Sequence, residues 1–335
     1  MLRSFSLGLS LLLSTIVQSS APPAEPVRLI LDTDIGNDID DTFALAMIHA
    51  LQNRGEVQLL AVTITKDNPY AAPFVDLVNT FYGRPDVPIG TVRYGKTPED
   101  NAMIQEPAQL RDAQSRYLYP HRLQNGSEAP EAVELLTRVL QQQPDRSVTI
   151  AQIGFSTNLT RLLQSPGGSD LIRRKVKLLS VMGGNFVEPK PEYNIYTDPE
   201  SARILLTKWP TPIVLSGFEI GLAVAFPYSS TMELMAAADT NPVGEACRMF
   251  FKKPENRPGW DPTAVLEAIR PNRGYFELST PGRVTLGPKN TTVFMPEKGG
   301  NCRYLTVSPQ NARAARQVIV DLVMEPPKHP FRTSH

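Results

Sequence analysis

Cysteine is nearly missing from this chain of 335 residues: Cys247 and Cys302 are the only two. Their spacing fits no zinc motif, and nothing in the sequence brings them together. Histidine is scarce too, at four residues. An excess charge of either sign is absent, because Lys+Arg and Asp+Glu both number 34. A polyanion partner normally needs a basic excess or a basic run, so nucleic-acid binding is not expected. Beyond the N-terminus no apolar stretch is long enough to cross a bilayer. The N-terminus itself reads MLRSFSLGLSLLLSTIVQSSA. Arg3, the apolar run 5–17 and the small residues Ser19-Ser20-Ala21 have the order of a secretory signal. The expectation is export, secreted or periplasmic, with 1–21 removed and no stable membrane insertion afterwards. No cysteine follows the apolar run, so a lipid anchor is not expected.

After a proline-rich spacer, strand-like and helix-like segments alternate. VRLIL, VQLLAVTI, VPIG, VTIAQIG, KVKLLSVMGG and PIVLSG read as strands. Apolar periodicity predicts helices over 41–52, 71–83, 130–142, 198–207 and 309–324. This alternation predicts an α/β protein with a mostly parallel, Rossmann-like central sheet covered by helices. Residues 93–125 are polar and rich in Pro, Gln and Tyr, and read as a long insertion or lid. Residues 282–307 look hairpin-like. No linker or repeat divides the chain, so one domain is expected over 27–326. In such sheets ligands sit beyond the carboxyl ends of the strands. DTDIGNDIDD, IGFSTN, MGGNFVEPKPEYN and GWDP all fall at those ends or in the loops beyond them.

Asp32, Asp34, Asp38, Asp40 and Asp41 crowd ten residues. They cannot all stay ionised without a counter-charge. Helix capping accounts for one or two of them. A hard cation accounts better for the surplus: all-oxygen sites suit calcium or magnesium, and with no His or Cys nearby zinc is disfavoured. An EF-hand fails on the positions of its glycine and glutamate. A haloacid-dehalogenase motif fails because Gly36 stands where Thr or Val belongs.

A strand leading into DTDxGxDD and an apolar helix resembles the calcium-dependent nucleoside hydrolases. Further motifs follow in the family's order. Gly154 to Leu159, GFSTNL, is similar to GPLTNL. Met182-Gly183-Gly184 is similar to MGG, and Glu192-Tyr193-Asn194 to EFN. Asp198-Pro199-Glu200 is similar to DPE, and Asp261-Pro262 stands where the family has HDP. Three departures are visible. The acidic loop has two extra residues before Asp40-Asp41, so Asp38 is additional. Trp260 replaces the histidine that precedes the last aspartate. The segment between MGG and EYN is also short, which leaves Asn185 as the nearest equivalent of a sugar-site asparagine. The family's other sugar-site asparagine falls near Thr65, with Asn68 as the substitute.

The resemblance implies an N-glycosyl hydrolase that splits ribonucleosides into base and ribose with a calcium-activated water. It implies calcium ligands at Asp34, Asp41, Asp261 and the Thr157 carbonyl, with Asp38 an extra or indirect ligand, and Asp34 as general base. It implies Asp40, Asn185, Glu192 and Asn194 as sugar contacts. Trp260, unable to protonate a base, would stack on it, which favours purine nucleosides. Homo-oligomers are common in the family, so self-association is implied as well. Two other readings are a non-catalytic, calcium-containing sugar- or nucleoside-binding protein, and a hydrolase of another riboside. Of the histidines, His49 reads as structural, and His121 in the insertion as an occasional substrate contact.

Overall fold

The computed structural model describes residues 25–253 and 255–328; the expected signal segment lies outside the described residues. Six parallel strands form the centre: β1 (Val27–Thr33), β2 (Val57–Lys66), β3 (Ile89–Lys96), β4 (Val148–Gln152), β5 (Val176–Met182) and β6 (Ile213–Ser216). Their spatial order is β6-β5-β4-β1-β2-β3. The chain therefore leaves β1 towards one edge and later returns to build the other. β1 and β4 flank the point where the direction reverses, which is where such sheets bind ligands.

Strand alternation explains the two-sided core. Leu29 and Leu31 of β1 pack with Phe43 and Met47, while Ile30 between them packs with Leu135, Leu136 and Ile150 on the opposite face. Strands buried on both faces read as continuous apolar runs, as β1 does until Asp32. Helix Asp40–Asn53 is buried from Asp40 through Leu51, because helices Trp260–Ile269 and Pro309–Val323 cover its outer side.

Two expectations are corrected by the described residues. Only part of 282–307 is a hairpin. β7 (Ala225–Phe226) and β8 (Arg257–Pro258) form a small ribbon. β9 (Glu277–Leu278) is a short edge piece, and β10 (Gly282–Leu286) and β11 (Thr292–Pro296) pair antiparallel. β12 (Cys302–Thr306) pairs antiparallel with β10 at Cys302 and also runs parallel to β6, which widens the main sheet. The polar segment 93–125 is no lid. Its start is the end of β3, its helix Ala102–Gln109 packs on the core, and buried Asp76 accepts the Arg122 and Leu123 amides at 2.6 and 2.9 Å. Cys247 and Cys302 are free thiols, buried in different core clusters.

Candidate active site

Each aspartate of the acidic loop meets a different fate, set by where β1 ends. Asp32 is still in the strand, fully buried. It accepts hydrogen bonds from the Thr63 hydroxyl at 2.6 Å and from Asn158 Nδ2 at 2.9 Å. Burial pushes its carboxyl up to about 7, so it is a buried structural acid beneath the site. Asp34 is the first residue beyond the strand. Asn37 Nδ2 donates to its Oδ2 at 2.7 Å, and burial pushes it up to about 6. Asp38 takes the Nε of Arg257 at 2.9 Å and a second, close contact from Nη2. That pairing commits the extra aspartate of the loop to a guanidinium.

Asp40 and Asp41 open the helix, and Asp261 opens helix Trp260–Ile269. Carboxylate oxygens of the three lie within 4.8 Å of one another, and all three residues are buried. The Asp261 amide donates to Asp40 Oδ2 at 3.1 Å, and the Thr33 hydroxyl donates to Asp41. Burial, then mutual repulsion, pushes all three carboxyls well above the usual range. The neighbouring cations are engaged elsewhere, Arg257 with Asp38 and Lys66 with Asn37. Three buried carboxylates with only oxygen donors and no partner cation fit a hard divalent ion.

A cavity of about 360 Å³ opens over this group, within the ordinary range for small-ligand sites. Asp34, Asp38, Asp40, Asp41, Glu192, Asn194, Trp260 and Asp261, all expected from the sequence, line it. Glu192 caps helix Tyr193–Thr197, accepting the amides of Asn194 at 2.8 Å and Ile195 at 3.2 Å. It also accepts Gly184 N at 3.2 Å, and burial pushes it up to about 7. Asn194 Nδ2 donates to the Ile153 carbonyl at 2.9 Å. Trp260 Nε1 donates to the Phe218 carbonyl at 2.9 Å, and the two rings stack 5.4 Å apart at 25°. Gly154 permits this convergence, because a Cβ there would lie 2.4 Å from the Asp34 nitrogen.

Four expected residues lie outside the lining. Thr157 sits inside helix Thr157–Gln164 with its hydroxyl on Asp198. Asn185 Oδ1 accepts the loop amides of Val187 at 3.2 Å and Glu188 at 2.8 Å. Asn68 Nδ2 holds the Pro98 and Glu99 carbonyls at 3.1 and 3.2 Å. His121 stays with the Tyr119 carbonyl at 2.8 Å. In their place the cavity has Asn37, Ile153, Met182, Tyr193, Phe218 and Arg257. Ile153 adjoins the GFSTN stretch, a signal at hand in the sequence. Phe218 carried none, since only the fold brings it to Trp260, and Arg257, three residues before Trp260, carried none because only the fold brings it to Asp38.

Such a fold and site define a class: α/β proteins with an acidic, metal-competent pocket at the switch point of a parallel sheet. Within that class the match is specific. Residues 29–325 match the family model for inosine-uridine preferring nucleoside hydrolase, and the chain belongs to that family. It is 28% identical over 344 residues to the pyrimidine-specific ribonucleoside hydrolase of Citrobacter koseri, covering 89% of this chain and 96% of that protein. With the enzyme of the same name from Enterobacter sp. (strain 638) it shares 30% identity over 215 residues, 57% of this chain; there it spans only 60% of the relative's length. Among solved structures, a purine-preferring ribonucleoside hydrolase from Gardnerella vaginalis superposes with a TM-score of 0.66 at 19% identity, covering 88% and 99% of the two chains. An inosine-guanosine nucleoside hydrolase gives 0.65 at 20% identity, covering 88% and 98%. These two likenesses concern the fold alone.

Proposed function

We propose that the chain hydrolyses the N-glycosidic bond of ribonucleosides, using a divalent cation, calcium by the chemistry of its donors. The observation that carries this reading is the trio Asp40, Asp41 and Asp261 converging beneath a nucleoside-sized cavity that Asp34 also lines. Asp41 and Asp261, with Asp34 beside them, would hold the ion. The Ile153 carbonyl at the cavity wall is a better neutral ligand than Thr157, whose residue is outside the lining. Bound there, the ion would supply positive charge that acidifies water. Asp34 then takes the proton from the attacking water, a role worth ~10²–10⁴-fold in rate. Asp40, Glu192 and Asn194 accept and donate to sugar hydroxyls, fixing the ring while positive charge develops on it.

The base leaves at the aromatic side, against Trp260 and Phe218. Neither ring protonates it, so stacking is what this wall offers, worth ~0.5–1.5 kcal/mol beyond burial. A purine presents the larger face, which supports a purine preference, although some relatives carry pyrimidine-specific names. Export remains part of the reading on the strength of the N-terminal sequence.

Release of base and reducing sugar from inosine, adenosine and uridine tests the proposal in wild type, Asp34→Ala and Trp260→Ala. The expected result is purine turnover, lost by at least ~10²-fold without Asp34 and reduced several-fold without Trp260. Nucleoside binding without any turnover would leave a binding protein instead. Faster uridine cleavage would defeat the stacking argument alone.

A further inference from the structure

Lys66 is the last residue of β2 and is 2% exposed. Its ammonium donates to Asn37 Oδ1 at 3.0 Å and to the Thr97 carbonyl at 2.7 Å. Asn37 in turn donates from Nδ2 to Asp34 Oδ2 at 2.7 Å and to Thr97 Oγ1 at 3.2 Å. An ammonium can only donate, so it selects the oxygen end of the Asn37 amide. The NH₂ end is thereby forced towards Asp34. The amide orientation is thus fixed by chemistry.

We propose that Lys66 and Asn37 form a positioning pair for Asp34, with Lys66 acting through Asn37 to hold the carboxylate that takes the proton from water. This rests on the hydrolase reading above. A direct lysine–aspartate ion pair would neutralise the base. An intervening amide instead pins one oxygen and leaves Asp34 an anion, while the buried charge polarises the amide and strengthens its hydrogen bond. The geometry also gives Asn37 of the acidic loop a purpose. Asn37 and Asp38 occupy that loop, and Asn37 reaches Asp34 only because Gly36 turns the backbone at φ 109°.

A double-mutant cycle tests it, with Asn37→Ala, Lys66→Met and the pair. Each single change is expected to lower kcat roughly 10- to 100-fold, less than the ~10²–10⁴-fold that a general base contributes because the base itself remains, with KM within about threefold. The double variant is expected to be no worse than Asn37→Ala within about threefold, because one residue works through the other. Multiplying effects would overturn the proposal, as would a change confined to KM. If Lys66→Met does not fold, Lys66→Gln takes its place in the cycle, because its side chain is uncharged, one atom shorter and no longer imposes a donor on Asn37 Oδ1. Crystal structures of Asn37→Ala and the Lys66 variant give a readout independent of turnover. A rotated Asp34 carboxylate supports the proposal, and an unmoved one overturns it. Should the wild type cleave no riboside, the hydrolase reading fails, and the position of Asp34 in these variants still decides the pairing.

Discussion

His49 illustrates how a single buried residue sets a property of the whole protein. Its Nε2 bonds Asn79 Oδ1 at 2.8 Å, Arg84 Nη1 approaches Nδ1 at 3.5 Å, and the ring stacks on Tyr82 at 4.8 Å. Arginine only donates, so Nδ1 is the acceptor and the proton sits on Nε2. Burial first, and the Arg84 charge second, push the imidazole down to about 3. An unfolded histidine titrates near 6.5. The unfolded chain therefore binds the extra proton between those values, and the stability from neutral His49 is lost as pH falls below about 6.5. The slope reaches about 1.4 kcal/mol per pH unit. Urea unfolding from pH 4 to 6.5 should show that slope reduced in His49→Gln. Parallel curves for the two proteins would refute the assignment. The carboxylates of the acidic loop make the same point: five identical side chains take up distinct roles, and environment alone separates them.

At the scale of one element, the turn between β1 and helix Asp40–Asn53 works because of Gly36. With φ at 109°, only glycine is relaxed there. A Cβ would lie 2.5 Å from Ile104 Cδ1 and 3.1 Å from Lys66 Cδ. One methyl group would thus disturb both the helix Ala102–Gln109 and the lysine stem that holds Asn37. Gly36→Ala should cost about 1–3 kcal/mol through strain and overpacking, and should lower turnover by more than this loss of folded protein explains. Thermal melts and activity per folded molecule check it. A variant with unchanged melting and unchanged kcat would show that the turn relaxes freely.

For the whole molecule, the acidic trio is an unbalanced charge that binding of an ion would relieve. Burial holds Asp34, Asp40, Asp41 and Asp261 above their usual range. Without a metal the folded state binds more protons than the unfolded chain. Stability then falls as pH rises from about 4 through 6, the value for Asp34. Metal binding needs those groups deprotonated, so its stabilisation grows as pH rises. At calcium 100-fold above its Kd the gain is about 2.7 kcal/mol, or on the order of 5 °C in Tm for a chain of this size. Calorimetry with calcium and with EDTA should give a gap that widens from pH 5 to pH 8. Equal Tm values at both pH values would remove the metal from the account.

Much of this was present in the one-dimensional pattern. The apolar run of β1 and its arrest at Asp32 announce a buried strand and a site at its end, because carboxylates at a buried strand end are costly unless something compensates them. The alternation of elements dictates the parallel sheet, and the ordered motifs name Asp34, Asp40, Asp41, Glu192, Asn194 and Asp261. What those patterns could not carry is direction and distance. Thr157 and Asn185 have the right types at the right spacing, yet their polar atoms serve Asp198 and loop amides. Phe218 and Arg257 stand far from the acidic loop in sequence and meet it only because β6, β8 and helix Trp260–Ile269 end beside it. β12 pairs with β6 as well as with β10 because β6 offers it an open sheet edge. Local sequence determined which side chains can do chemistry; the crossing of the chain at the switch point decided which of them share a cavity, since contact between distant residues depends on topology and not on composition.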